Sequence, residues 1–319
     1  MDALQNLENF LQSLTAGLLM GSMYGLMCVG LTIIFGVMRV INFAQGEFMM
    51  LGMYFTYFCF AWLGVSAFAD ALWLPFLLAL LAGPALFIVG LILHRLLIHS
   101  VTGRKASSLE AGGHYAQLVL TLGVALVLQN GGLYFFGSTP VSVSNELSYS
   151  AWEWGPMVGE RVSVFVNQAQ TISALIAIVV VIGFGLLMGK TRLGKSLRAS
   201  ADNPDAATYM GINVDRAHRI AFGFGVGITA IGGGLLASNA PFQPYIGTEY
   251  VIIMYAGVVL GGLGSIRGAF FGGLTIGILQ QVSAIILPNQ LQNTVIFVCF
   301  LIVILCRPQG FFGRKDRTA

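Results

Sequence analysis

A chain of 319 residues could form one or two water-soluble domains, but only 9% of these residues are charged, against roughly 25% in soluble proteins. With a mean hydropathy of +0.82 it cannot cover its surface with polar groups, so lipid is its solvent. The net charge of +3 gives no support for nucleic-acid binding.

The first nine residues carry Asp2 and Glu8 but no Lys or Arg. The apolar stretch that follows is too long for a signal-peptide core, so no cleavable signal is expected. Runs of about twenty apolar residues predict spans near 10–35, 46–66, 72–94, 116–136, 169–189, 219–238, 250–266, 268–287 and 291–306. The expected architecture is therefore an all-α, polytopic membrane protein, one transmembrane domain over 1–319 with about nine (8–10) helices. Cys28, Cys59, Cys299 and Cys306 fall in or beside these runs without metal-ligand or disulfide spacing, and read as small apolar fillers.

Loop cations set the expected orientation, since Lys and Arg collect on the cytoplasmic side. Arg95, Arg104 and Lys105 mark one loop, and Arg307, Arg314, Lys315 and Arg317 mark the tail. Segment 137–168 instead holds Glu146, Glu153 and Glu160 against Arg161, with Trp152 and Trp154 suited to an interface. This predicts an outer N-terminus, a periplasmic 137–168 loop and a cytoplasmic C-terminus, which requires an odd number of spans. Gly17, Gly21 and Gly25, the row Gly264, Gly268 and Gly272, and the pairs Gly257/Gly261 and Gly273/Gly277 have the four-residue spacing that lets helices approach closely in lipid.

Between the first two spans, Arg39, Asn42, Gln45 and Glu47 interrupt apolar sequence. Ionisable groups near membrane depth are candidates for function, here a broken helix or re-entrant turn lining a gate. The alternative is a cytoplasmic turn whose Arg39 and Glu47 meet headgroups or each other. Arg267 holds a matching place among glycines between the seventh and eighth spans.

Lys190 to Arg219 is a basic island. Within it Gly189-Lys190-Thr191-Arg192-Leu193-Gly194-Lys195-Ser196 matches the phosphate-loop pattern letter for letter. That pattern needs a strand before it and a helix after it. Here an apolar run of span length precedes it and Pro204 soon follows, so the cations are read as the edge of a span.

The island also holds a miniature helix. Asn203 suits the N-cap and Pro204 the first position; Asp205 complements the dipole and Gly211 suits the left-handed stop. Two turns are marginal alone, so a partner is expected to hold 204–210. Small Ala206 and Ala207 suit a partner's groove, with Tyr209 and Met210 as apolar anchors.

Several of these runs resemble one family. Asn42-Phe43-Ala44-Gln45-Gly46-Glu47 is similar to the N-F-A-H-G-E segment of permeases from branched-chain amino acid ABC importers. Asp205-Ala206-Ala207 followed by Gly211 resembles their E-A-A-x-x-x-G coupling loop, and Gly261–Gly268 and Arg307–Gly313 also match. The resemblance covers nearly the whole chain apart from 137–168 and is closest to the H-type subunit. It implies transport of leucine, isoleucine, valine or a related amino acid or amide across a bacterial cytoplasmic (inner) membrane. The implied partners are a second permease, two ATP-binding cassette subunits and a periplasmic binding protein. ATP would sit on the partner subunits, with no cofactor on this chain and no catalytic role. Gln45 stands where the family usually has His, which argues against a proton-linked role there, and Asp205 replaces Glu with a shorter reach.

A stand-alone secondary transporter or channel is the competing class. It would need carboxylates or cations deep within spans, whereas Asp70, Glu47, Glu249 and Arg267 lie near boundaries. A membrane enzyme would need a nucleophile or metal cluster, and His94, His99, His114 and His218 are dispersed.

Overall fold

The computed structural model describes residues 2–64, 71–98, 112–143, 145–155, 163–307 and 309–313. Asp70, His99, Arg104, Lys105, Glu160, Arg161, Arg314, Lys315 and Arg317 lie outside the described residues, as does the side chain of His114. Among the described residues the chain forms twelve helices and one two-stranded ladder. In order these are α1 (Asp2–Met38), α2 (Gln45–Gly64), α3 (Leu74–Leu93, extended by a π turn over His94–Ile98) and α4 (Gly112–Phe136). After them come α5 (Glu146–Tyr149), β1 (Ala151–Trp154), β2 (Val164–Asn167), α6 (Gln168–Lys190), α7 (Arg192–Asp202) and α8 (Pro204–Tyr209). The last four are α9 (Val214–Ala237), α10 (Ile246–Gly261), α11 (Ile266–Ser283) and α12 (Asn289–Cys306).

The protein is a multi-pass membrane protein, built mainly of helices. Five of them are long and apolar enough to cross a bilayer: Leu4–Met38, Leu74–Ile98, Ala116–Phe136, Gln168–Lys190 and Val214–Ala237. The other four expected spans are also helices, and among the described residues Ile246–Gly261 and Leu291–Cys306 are shorter apolar helices. Helix α2 opens on Gln45 and Glu47, and α10 has 16 residues because Gly262 turns the chain at φ 102°. The expected boundary near 266–268 moves accordingly: the turn occupies 262–265, and Ser265 caps α11 by accepting from the Gly268 amide at 3.1 Å.

The all-α expectation needs one amendment. Segment 137–168 contains a β-ladder, in which Trp152 pairs with Val166 and Glu153 with Phe165. Trp152 and Trp154 are both exposed there. The segment sits at the start of α1, where the Gln12 amide accepts from the Phe165 backbone N–H at 2.9 Å. The island sits at the other end of α1, where the Arg39 guanidinium donates to the Ala201 carbonyl at 3.4 Å.

Helix α9 forms the hub, packed along α1, α2 and α3. Glycines allow this, because each removes a side chain where another backbone passes. A Cβ on Gly227 would lie 2.8 Å from the Gly83 carbonyl of α3, and one on Gly225 would lie 2.7 Å from the Gly30 carbonyl of α1. The glycine rows read from the sequence also meet one another. Gly21 and Gly25 of α1 face Gly277 and Gly273 of α11, while Gly257 and Gly261 of α10 face Gly272 and Gly268. Gly264 departs from its row, lying in the turn at φ 83°. In lipid, where burial of apolar groups gives no advantage between helices, this close packing supplies the cohesion.

Candidate coupling surface and buried polar site

The island folds as three helices joined by two short asparagine-capped links. Thr191 ends α6, and its hydroxyl oxygen accepts from the Gly194 amide at 3.1 Å to begin α7. Helix α7 is amphipathic: Gly194, Leu197 and Ser200 are buried while its cations stay outside. The phosphate-loop letters thus fall on the end of one helix and the first turn of another. The Gly194 amide caps onto Thr191, and a Cβ at Gly194 would run into the Met188 carbonyl.

Asn203 is the single residue between α7 and α8. Its side-chain oxygen accepts from the Ala206 amide at 3.0 Å, with Pro204 at the first helical position and Asp205 in the first turn. The Gly211 amide donates to the Thr208 carbonyl at 3.0 Å and the Ile212 amide to the Ala207 carbonyl at 2.9 Å. This stop puts Gly211 at φ 82°, a region open to glycine and costly for a side chain. Asn213 then caps α9, accepting from the Arg216 amide at 2.9 Å. The helix ends at Tyr209, one residue short of the expected 204–210. Asn203→Ala is expected to cost about 1 kcal/mol locally, speeding hydrogen exchange of the Ala206 amide roughly fivefold.

Two expectations change. The cassette is not an isolated helix awaiting support, since α8 packs on α7 and α9. Ala207 belongs to that seat, buried to 4% exposure against its own chain. Tyr209 and Met210, by contrast, are 89% and 82% exposed, beside exposed Asn203, Pro204, Asp205, Ala206 and Gly211. The Tyr–Met pair thus stands almost wholly clear of its own fold.

The second group splits in two. Arg39 and Arg267 are exposed, whereas Asn42, Gln45 and Glu47 are buried to 3% exposure or less. Arg39 has φ 54°, among the described residues the one non-glycine at positive φ, so the chain reverses sharply where α1 ends. The Asn42 amide donates to the Gln45 side-chain oxygen at 3.0 Å. The Gln45 amide donates to the Gly225 carbonyl at 3.0 Å and to the Thr229 hydroxyl. Gly225 and Thr229 lie midway along the 24-residue α9, so α2 starts in the interior of the bundle and the segment 39–44 dips in to meet it. Glu47 does not pair with Arg39. Its carboxylate lies against Gly247 of α10, where a Cβ would come within 2.6 Å of Oε1, and Oε2 has no hydrogen-bond partner among the described residues.

Gln45→Leu is expected to cost about 2–3 kcal/mol in thermal unfolding, because it strands the Asn42 amide and removes the tie to α9. Gln45→His keeps a donor and should cost less.

A cavity of about 360 Å³ with mixed polar and apolar walls lies where α7 meets α1. Thr32 and Gly36 of α1, Arg198 and Asp202 of α7, and Gly264 of the α10–α11 turn line it. Depth in the bundle and the meeting of α7 with the end of α1 were not signalled by the sequence, because both depend on contacts between residues more than 150 positions apart.

The profile of the family described as branched-chain amino acid transport system / permease component matches residues 13–305. The chain belongs to this permease family. Among its relatives is the high-affinity branched-chain amino acid transport system permease protein LivH of Salmonella typhimurium, 29% identical over 308 residues and 96% of each chain. The corresponding protein BraD of Pseudomonas aeruginosa is 28% identical over 97% of each chain. A probable LivH of the archaeon Methanocaldococcus jannaschii is 27% identical, covering 90% of this chain and 88% of its own. No solved structure matches this permease. The family match spans every helix that carries the two sites, including the asparagine-capped cassette and the segment that dips to Gln45.

Proposed function

We propose that the chain is the permease subunit of an ABC importer in a bacterial cytoplasmic membrane, carrying branched-chain or related amino acids. A periplasmic binding protein would deliver the cargo, and a second permease would complete the path. Two ATP-binding cassette subunits would bind and hydrolyse ATP, which this chain would not. The observation that carries the reading is α8, a rigidly capped helix with Tyr209 and Met210 bare at its end.

The course of the chain supports nine traverses, with the basic end cytoplasmic. The 137–168 segment lies at the start of α1 and the island at its end. The tail returns to the island's end as well. Phe311 and Phe312 donate to the Leu260 and Gly261 carbonyls, and Gly264 of the neighbouring turn approaches Gly36 of α1.

ATP-driven closure of the partners would push on α8. One route into the bundle runs through Ile212–Arg219 into α9. The contacts suggest a second route, from α7 through the Ala201 carbonyl to Arg39 and so to the buried Asn42 and Gln45. Conformational change of this sort requires small interfaces that can adopt two arrangements, which glycine-lined contacts allow.

Reconstitution tests the proposal. Leucine uptake into liposomes should require ATP, the cassette subunits and the binding protein together. Gradient-driven uptake by this chain alone would instead favour a secondary transporter, the reading to which the buried Glu47 carboxylate lends some support.

A further inference from the structure

Two depressions lie along one seam of the bundle, apart from α8 and from the buried Asn42, Gln45 and Glu47, although the proposed route through Ile212–Arg219 passes the smaller one. The larger, about 510 Å³, is an apolar groove walled by α3 and α6 with α9 as its floor. Gly83, Gly183 and Gly227 open it, and Phe87, Phe184 and Phe224 line it. It exists because α6 packs along α1 rather than against α3. The smaller, about 350 Å³, is polar and lies where the end of α3 meets the start of α9. Arg95, Arg216 and Arg219 line it with His94, Asn213 and one carboxylate, Asp215. Among the described residues, three guanidinium groups stand against a single carboxylate, which leaves it suited to an anion.

Helical spacing stacks the two. Arg95 lies eleven residues beyond Pro84 on α3, and Arg216 eleven before Gly227 on α9. Eleven residues make three turns, so each arginine falls below its groove residue on the same helix face, about 16 Å away. Lys190 stands two turns past Gly183 on α6 in the same direction. A distance of about 16 Å is close to half of the ~30 Å hydrocarbon core, the depth that one acyl chain reaches from its headgroup.

We propose that this seam binds one anionic phospholipid, its phosphate among Arg95, Arg216 and Arg219 and an acyl chain in the groove. Charge complementarity selects the headgroup, since each basic residue near a membrane surface favours anionic lipid by roughly fivefold. The groove adds apolar contact for the chain. The inference requires only that the protein spans a membrane, so its failure would leave the importer proposal standing.

The test uses the full chain purified in mild detergent. Thermal unfolding is followed with phosphatidylglycerol, phosphatidylcholine or inorganic phosphate added, and retained lipid is identified by native mass spectrometry. Phosphatidylglycerol is expected to raise Tm and stay bound, while the other two do neither. Arg216→Gln with Arg219→Gln should lower phosphatidylglycerol retention about tenfold or more. Gly183→Leu meets no neighbour within 4 Å of its Cβ, so it should fold, fill the groove and lose the same lipid. Equal shifts with phosphatidylcholine, or a shift with phosphate alone, would overturn the proposal. So would a Gly183→Leu protein that keeps its lipid, or one that keeps it but no longer associates with other subunits, which would make the groove a subunit contact.

Discussion

Gly46→Ala is expected to destabilise the protein by about 3 kcal/mol and to abolish uptake, despite adding one methyl group. Gly46 sits in the first turn of α2, against Gly247 near the start of α10. A Cβ there would run into the Gly247 carbonyl and come within 3.0 Å of the Val251 Cβ. The principal obstacle is backbone, which no rotamer change can clear. Helix α2 would have to move off α10 where Glu47 is buried and where Gln45 reaches α9, so three helices would lose their register together. Gly123→Ala on α4 is the control, because no atom lies within 4 Å of its added Cβ. That variant should keep or slightly raise Tm, as alanine is the better helix former. Thermal unfolding in detergent with yield of monodisperse protein measures both. Equal behaviour of the two variants would show that the α2–α10 contact is looser than its geometry implies.

Tyr209→Ala combined with Met210→Ala should have the opposite profile: near-normal stability and a severe loss of ATP-driven uptake. The two side chains are 89% and 82% exposed and make little internal contact, so truncation should change unfolding by no more than about 0.5 kcal/mol. If they anchor a partner ATPase, their loss should weaken that contact by about 2 kcal/mol, roughly thirtyfold in affinity. Co-purification of the cassette subunits and uptake in reconstituted vesicles read the effect. Ala207→Glu would be a poor substitute for this experiment. Ala207 is buried against its own chain, so a carboxylate there would break the seat of α8 on α7 and α9 before any partner was involved. Retention of full coupling by the Tyr209/Met210 double variant would move the partner contact elsewhere on the island.

Both effects arise from features with unequal visibility in the sequence. The cassette was legible almost to the residue, because Asn203, Pro204 and Gly211 each act through backbone geometry within four positions of their own. The glycine rows were legible as packing faces. Their pairing was not, since four-residue spacing says that something approaches closely without saying what. Segment 137–168 read as loop because two four-residue strands are too short to show an alternating pattern, and only their antiparallel pairing makes them a ladder. Arg39, Asn42, Gln45, Glu47 and Arg267 were all visible as polar interruptions. Nothing in their order separated the exposed arginines from the three buried groups.

By itself, then, the amino-acid order determined a lipid-solvated helical protein, the approximate bounds of its five long apolar helices and a capped helix on a basic island. Each of these follows from transfer free energies and capping interactions that operate over a few neighbouring residues. Tertiary structure alone decided that α2 begins midway along α9, that Ala207 faces inward while Tyr209 and Met210 face outward, and that α6 leaves a groove beside α3. Those outcomes depend on where the backbones of distant helices pass one another, and a glycine permits such an approach without naming its partner.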